Sequence, residues 1–403
     1  MRLHAYLPAA LLLVAVAPAS PREPDDAARL RAKAAERAID WLEKAVPRLP
    51  DSAGTPRKPF TCAVTGLVFL MERPPGASTT GRDRLRGIRA YLTRWVDELA
   101  ERLRDPKALP DRHGMVDSSR VCQYTWPLSV AALFFAEQEA RGIDRRRSHA
   151  MLERILDLLV EAQEENGGWG HGRIRPRTVA PEEAKGFAGL GGYPSTLVSS
   201  SNCVAIAVGL ADAMEGHERE EAVRRARAYY RAARLPNGSF PYDPSQRQSG
   251  FAKTNAGRTA GALYAWHALG MERDDVFGGS VRYLMDNLEW VAEGHGSPCL
   301  NMFHGALACR MLGDDEWQRF REMYEARVIA AQEESGALKC ICENKAFGVT
   351  CDSAERMGGI GSFADQQAAY TTALHAFVLL LDRGHLKILD QRRPGGAITR
   401  KGK

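Results

Sequence analysis

Six times along this chain an apolar segment with small residues at its middle recurs: TCAVTGLVFLM (61–71), PLSVAALFFAEQ (127–138), SNCVAIAVGLADAM (201–214), GRTAGALYAWHALGM (257–271), NMFHGALACRML (301–312) and AAYTTALHAFVLLL (368–381). Aligned on one apolar position, the copies place Leu67, Leu133, Ile206, Leu263, Leu307 and Leu374 in register. Each is preceded by a charged amphipathic segment, at about 27–46, 82–104, 146–165, 218–234, 275–292 and 315–334. Both kinds have helical spacing and β-branched alternation is missing, so the chain is all-α. Segments that are apolar all round are buried, and those with one charged face form an outer layer. Six outer-inner helical hairpins in sequence predict a closed ring, an (α/α)6 toroid. Closure answers a size problem, because a single core stops growing at about 250–300 residues. A ring of wedges buries each hairpin against its neighbours. The alternative is an open superhelical solenoid of the same hairpins.

The connections differ by direction. Inner-to-outer links are short and polar, such as RGIDRR, EGHE, ERDD and GDD, whereas most outer-to-inner links are long and rich in Gly, Pro, aromatics and His. All inner helices of such a ring run the same way, which gathers the long loops on one rim, and long ordered loops on a rigid scaffold are where sites are built. The candidate catalytic residues there are His113, Asp117, His171, His304 and Asp352. The candidate ligand-binding residues are Arg120, Tyr124, Trp169, Tyr193, Tyr242, Asn255, Arg258 and Tyr370. A His beside a Tyr or carboxylate can act as general acid or base, and Arg with aromatics can hold an acidic sugar or stack on its ring. Taken singly, Trp169 and Tyr242 also read as repeat packing, His304 as a satisfied inner-helix polar group and Arg258 as a loop anchor.

The first 19 residues, MRLHAYLPAALLLVAVAPA, have a basic start, a short apolar run and a small-x-small ending, the pattern of a secretory signal peptide. The apolar run is too short for a spanning helix, which needs about 20 residues. The expected organisation is a signal peptide at 1–19, a toroid at 20–392 and a basic, disordered tail at 393–403, with the protein exported to a periplasmic or extracellular compartment. Export permits disulfides, and the dense group Cys340, Cys342 and Cys351 reads as a bridge, as thiols or as a metal site short of a fourth ligand. The net charge of +5 is concentrated near the end, where residues 384–403 carry six Lys+Arg and one Asp. The ring itself is near neutral, which gives no reason to expect nucleic acid as its ligand. No nucleotide loop, serine elbow or H-E-x-x-H helix is present, and the sequence calls for neither a cofactor nor a resident metal.

QEENGGWG (163–170) resembles the QW-type repeat of squalene cyclases and protein prenyltransferase β-subunits, and LPNGSFPYD (235–243) and AAQEESGAL (330–338) look like degenerate copies. With TNAGRTAGALYAWHALG and the ending QAAYTTALHAFVLLLDRGHLKILDQR, the chain over roughly 27–392 is similar to exported bacterial prenyltransferase/squalene-oxidase-repeat proteins of the α/α-toroid superfamily. The resemblance implies the fold and leaves the parent chemistries unsupported. The acidic D-x-D-D motif of class II cyclases has only Asp274-Asp275 and Asp314-Asp315 as counterparts, both in short links. His304 resembles the prenyltransferase zinc His in position, but TNAGR offers no Asp-x-Cys before it, and the G-C-x-E-Q thioester motif is missing. Three functional classes follow. The first is a module binding a small molecule, glycan or protein segment on the long-loop rim. The second is a carbohydrate-active hydrolase or lyase, and the third an isoprenoid-processing enzyme.

Overall fold

The recurring apolar segments become six helices: α2 (Arg57–Glu72), α4 (Thr125–Ala140), α6 (Val198–Asp212), α8 (Ala256–Ala268), α10 (Pro298–Leu312) and α12 (Ala364–Leu380). The charged segments become α1 (Pro24–Ala45), α3 (Thr79–Arg104), α5 (Arg145–Glu161), α7 (Glu220–Ala233), α9 (Asp275–Asp286) and α11 (Asp314–Ala330), and a last turn, α13 (Lys387–Asp390), follows. The computed structural model describes residues 24–49, 57–72, 79–104, 123–172, 196–244, 252–293, 297–342, 364–382 and 386–390, and among them it contains no β-strand. The signal segment and the residues from 391 onward lie outside the described ones.

The apolar helices pack in chain order, α2 on α4, α4 on α6, α6 on α8, α8 on α10 and α10 on α12, and α12 packs back on α2. That last contact makes the array a ring and rules out the open solenoid. The inner helices have no exposed stripe: residues 58–71, 127–139, 200–211, 254–269, 301–309 and 369–381 are buried throughout. Small residues permit this packing. At Gly209 of α6 a side chain would come within 2.6 Å of the Ala268 carbonyl oxygen at the end of α8.

Each charged helix packs on the inner helix before it: α3 on α2, α5 on α4, α7 on α6, α9 on α8 and α11 on α10. The short links therefore join closely packed pairs. The first helix has no predecessor, and α1 packs on α12, the last inner helix. Arg31 of α1 pairs with Glu325 of α11 at 2.8 Å and with Asp382 beyond α12 at 2.9 Å, joining the two ends of the ring.

The three QW-like copies explain how successive outer helices are spaced. Gln163 donates through Nε2 to the Gly167 and Ala222 carbonyls, both at 2.9 Å, tying the end of α5 to α7. Gln332 donates to the Gly336 carbonyl at 3.0 Å and the Ala34 carbonyl at 2.8 Å, so the same device ties α11 to α1. Gly167 and Gly336 have φ of +87° and +99°, and a side chain at either would meet backbone oxygen, Arg225 at 2.2 Å or Arg37 at 2.5 Å. Only glycine meets both demands. The next residue but one is a buried apolar anchor in all three copies, Trp169, Phe240 and Leu338. Their amides donate to an inner-helix hydroxyl, Ser201 at 2.9 Å, Thr259 at 3.0 Å and Thr372 at 2.9 Å.

The last turn seats on two neighbouring inner helices. The turn α13 packs on α4 and α6, with Leu386 and Ile388 buried. The Ile388 amide donates to the fully buried Glu137 at 2.9 Å.

Candidate functional site

The inner helices begin on one rim, and their first residues can be followed round it from contact to contact. Phe60 of α2 packs on Trp126 of α4 with ring centroids 4.9 Å apart. The amides of Tyr124 and Thr125, entering α4, donate to the His171 carbonyl at 2.9 and 3.0 Å. The His171 ring meets Ser200 of α6, with Nδ1 and Oγ 3.1 Å apart. The Val198 amide at the start of α6 donates to the Tyr242 carbonyl at 3.0 Å, and the Arg258 guanidinium of α8 lies 5.9 Å from the centre of the Tyr242 ring. Gly257 of α8 abuts α10, since a side chain there would fall 2.4 Å from Asn301 Cβ. Tyr370 of α12 donates to Ser297, the N-cap of α10, at 2.9 Å, and its ring packs on Phe60 at 5.2 Å, which completes the circuit.

This rim has two unlike arcs. Phe60, Trp126 and Tyr370 make one side aromatic. His171, Ser200, Tyr242, Asn255 and Arg258 make the other polar. Trp126, His171 and Tyr242 are half-buried, whereas Tyr124, Trp169, Asn255, Arg258 and Tyr370 are buried. Arg258 donates to Asn255 at 2.5 Å, and Asn255 donates to Ser239 at 3.1 Å. Burial pushes the Arg258 guanidinium down to about 10, which leaves it charged at neutral pH. Trp169 serves the repeat: its indole N–H donates to the Leu159 carbonyl at 2.7 Å.

One turn deeper, α6, α8 and α10 converge on Gly261, where a side chain would meet Asn202 at 2.4 Å and His304 Nδ1 at 2.9 Å. Asn202 donates to the Arg258 carbonyl at 2.9 Å and accepts from Tyr230 at 2.9 Å. His304 Nε2 lies 3.9 Å from Cys203 Sγ. Burial drives His304 down to about 4 and Cys203 up to about 12. Both are neutral near pH 7, so Cys203 lacks the thiolate a nucleophile needs. His171 and His304 thus sit one turn apart along α6, each against a different residue of it.

Of the expected site residues, His113, Asp117, Arg120, Tyr193 and Asp352 lie outside the described residues, as does Cys351. Cys340 and Cys342 hold their sulfurs 3.3 Å apart, beyond S–S bonding distance, so the pair forms no bridge with each other. Phe60, Trp126 and Ser200 also belong to the rim although the sequence did not single them out. Their signal was position alone, in the first turns of inner helices. One group of three described residues could hold a metal ion, Glu139, His149 and His217, and it lies at the opposite rim.

No protein-family model matches the chain, and no curated protein does. Among solved structures, it is similar to the type II terpene cyclase MstE from Scytonema. A variant of that enzyme in complex with its substrate, geranylgeranyl dihydroxybenzoate, superposes with a TM-score of 0.50 at 16% identity, covering 92% of this chain and 100% of that one. A second variant with the same substrate gives 0.50 at 15% identity over 91% and 99%. A complex with the product merosterolic acid A gives 0.50 at 16% over 89% and 98%. The chain therefore has a terpenoid-cyclase-like α/α-toroid fold.

Proposed function

We propose that this protein is an exported ligand-binding toroid whose ligand sits at the long-loop mouth, between the aromatic and polar arcs. The observation that carries the reading is the contrast between that mouth and what lies beneath it. Trp126, His171 and Tyr242 stand half-buried around the rim, while the inner helices below are buried on every face. Two aromatic rings, an imidazole and a buried guanidinium beneath Tyr242 suit an anionic, ring-bearing ligand such as an acidic glycan.

The Asp pairs support binding over cyclisation. An acid that protonates an alkene must hold its proton, yet the Phe277 amide and the Arg231 guanidinium hold the Asp274 carboxyl below the usual carboxylate range. Asp274 caps α9 by accepting from that amide at 3.0 Å, and Asp314 pairs with Arg310 at 2.9 Å. Both pairs are occupied in starting outer helices.

The test is a thermal-shift and calorimetric comparison of oligogalacturonate, geranylgeranyl diphosphate and neutral oligosaccharides on the native chain, Trp126→Ala and Tyr242→Ala. Binding of the acidic glycan that weakens at least tenfold in both variants supports the reading; saturable binding that neither variant changes defeats it. Export is checked on the mature protein, whose N-terminus is expected at Ser20. The Ser200–His171 pair favours a second reading, acyl hydrolysis, because nucleophile and base stand within hydrogen-bond reach. A serine-directed organophosphorus probe labels Ser200 under that reading and leaves it unlabelled under the first.

A further inference from the structure

At the rim of the short links, three side chains from two neighbouring hairpins aim their ligand atoms at one point. Glu139 comes from the last turn of α4, His149 from the start of α5, and His217 from the link between α6 and α7. Glu139 Oε1 lies 3.1 Å from His149 Nδ1 and its Oε2 2.9 Å from His217 Nε2. All three ligand atoms fall within 4.8 Å of one another. His217 has no exposed side-chain surface, whereas the His149 side chain is 43% exposed.

Behind this group stands a supporting layer. His217 Nδ1 donates to Glu153, one turn along α5 from His149, at 2.5 Å. Glu153 accepts from Arg219 at 3.1 Å, and Arg219 also reaches Asp157 at 2.9 Å. His217 Nε2 and the Glu139 carboxylate face each other across 2.9 Å, a gap that either a hydrogen on Nε2 or a metal cation can bridge. The carboxylate–imidazole pairing is also the arrangement that orients a metal-binding histidine and raises its basicity.

We propose that Glu139, His149 and His217 bind one divalent transition-metal ion, Zn2+ foremost, with Glu153 and Arg219 as positioning residues. Two imidazoles and one carboxylate suit zinc and its neighbours, whereas Mg2+ and Ca2+ prefer oxygen ligands alone. Tetrahedral bonds of about 2.0–2.2 Å put ligand atoms roughly 3.3–3.5 Å apart, so the two short separations have to open by only a few tenths of an ångström. The fourth position falls on the exposed His149 side and takes water. Because the ligands come from α4, α5 and the α6–α7 link, the ion staples two adjacent wedges of the ring. The proposal is independent of what the mouth binds.

The experiment uses the full chain stripped with a chelator and titrated with Zn2+ by calorimetry, with Co2+ absorption as a reporter of tetrahedral coordination. One equivalent of Zn2+ per chain, a higher unfolding temperature on binding and tetrahedral Co2+ bands are expected. His149→Ala, at a half-exposed position, should keep native circular dichroism and lose the bands. Glu153→Gln should weaken affinity by about 10–100-fold. No stoichiometric Zn2+ binding, or binding of equal affinity in the native chain and His149→Ala, overturns the proposal. The second outcome would place the ion elsewhere, for example at the Cys340–Cys342 thiols.

Discussion

The two rims of this ring are held together by different physics. At the long-loop rim, the contacts end on backbone: glycine turns after α5 and α11 press on α7 and α1, the Gln163, Gln332, Arg225 and Arg37 side chains donate to main-chain carbonyls, and inner-helix hydroxyls accept from the turn amides. At the short-link rim, the contacts are pairs between side chains: Glu139, Glu153 and Arg219 with the His217 imidazole join two hairpins, and Arg31, Glu325 and Asp382 join the ends of the chain. Backbone contact leaves the side chains at the mouth available for a ligand, while a rim built from titratable groups is suited to ions. The difference teaches that in a repeat ring the side-chain chemistry that could be spent on function depends on what holds the wedges.

The largest effect should come from the backbone-held rim. Gly336→Ala puts a methyl against the Arg37 carbonyl at positive φ and should cost about 3–4 kcal/mol, read from urea unfolding midpoints. A loss under about 1 kcal/mol would show that α1 can move away freely and that closure does not depend on this turn. Next, His217→Leu on the charge-held rim leaves Glu139 and Glu153 facing a hydrocarbon and should cost about 3 kcal/mol. If it is neutral, the rim is held by apolar packing and the contrast fails.

Acid sharpens the comparison at the core between the rims. His304 titrates near 4 in the folded ring, below its ordinary value, because burial disfavours its charge. The unfolded chain then binds the extra proton, so this contribution is intact above about pH 6.5 and erodes as pH falls toward 4. Lowering pH from 6.5 to 5 should remove about 1.5 kcal/mol of stability through His304, and His304→Gln should flatten the profile. His375 is shifted the same way by burial and adds to the slope. At the mouth, His171→Ala should cost no more than about 1 kcal/mol, measured beside its loss of ligand binding. Last, Arg224→Ala breaks an exposed ion pair with Glu221 on α7 and should leave the unfolding midpoint unchanged.

The repeat was legible because burial leaves a composition mark: an inner helix surrounded by others must be apolar on every side, and Gly209 shows why small residues recur there. Trp169, Phe240 and Leu338 were legible as three copies of one turn because glycine at positive φ and an apolar anchor keep a fixed spacing. Tyr242, Arg258 and His171 were found through their long loops. Ser200 and Phe60 were not, because a serine or phenylalanine in an inner helix has the same local pattern whether it faces the mouth or the core. Glu139, His149 and His217 were missed for a different reason. Glu139 ends α4, His149 begins α5 and only His217 lies in a short polar link, so their ligand atoms meet only after two hairpins dock.

By itself, the sequence determined the helices, which of them are inner and which connections are long, because these follow from periodicity and composition along the chain. Only the tertiary structure decided that α1 returns to α12, that α13 packs on α4 and α6 and that the two rims differ in kind. Those outcomes depend on contacts between residues as far apart as Arg31 and Asp382, and no local pattern encodes which distant surfaces will meet.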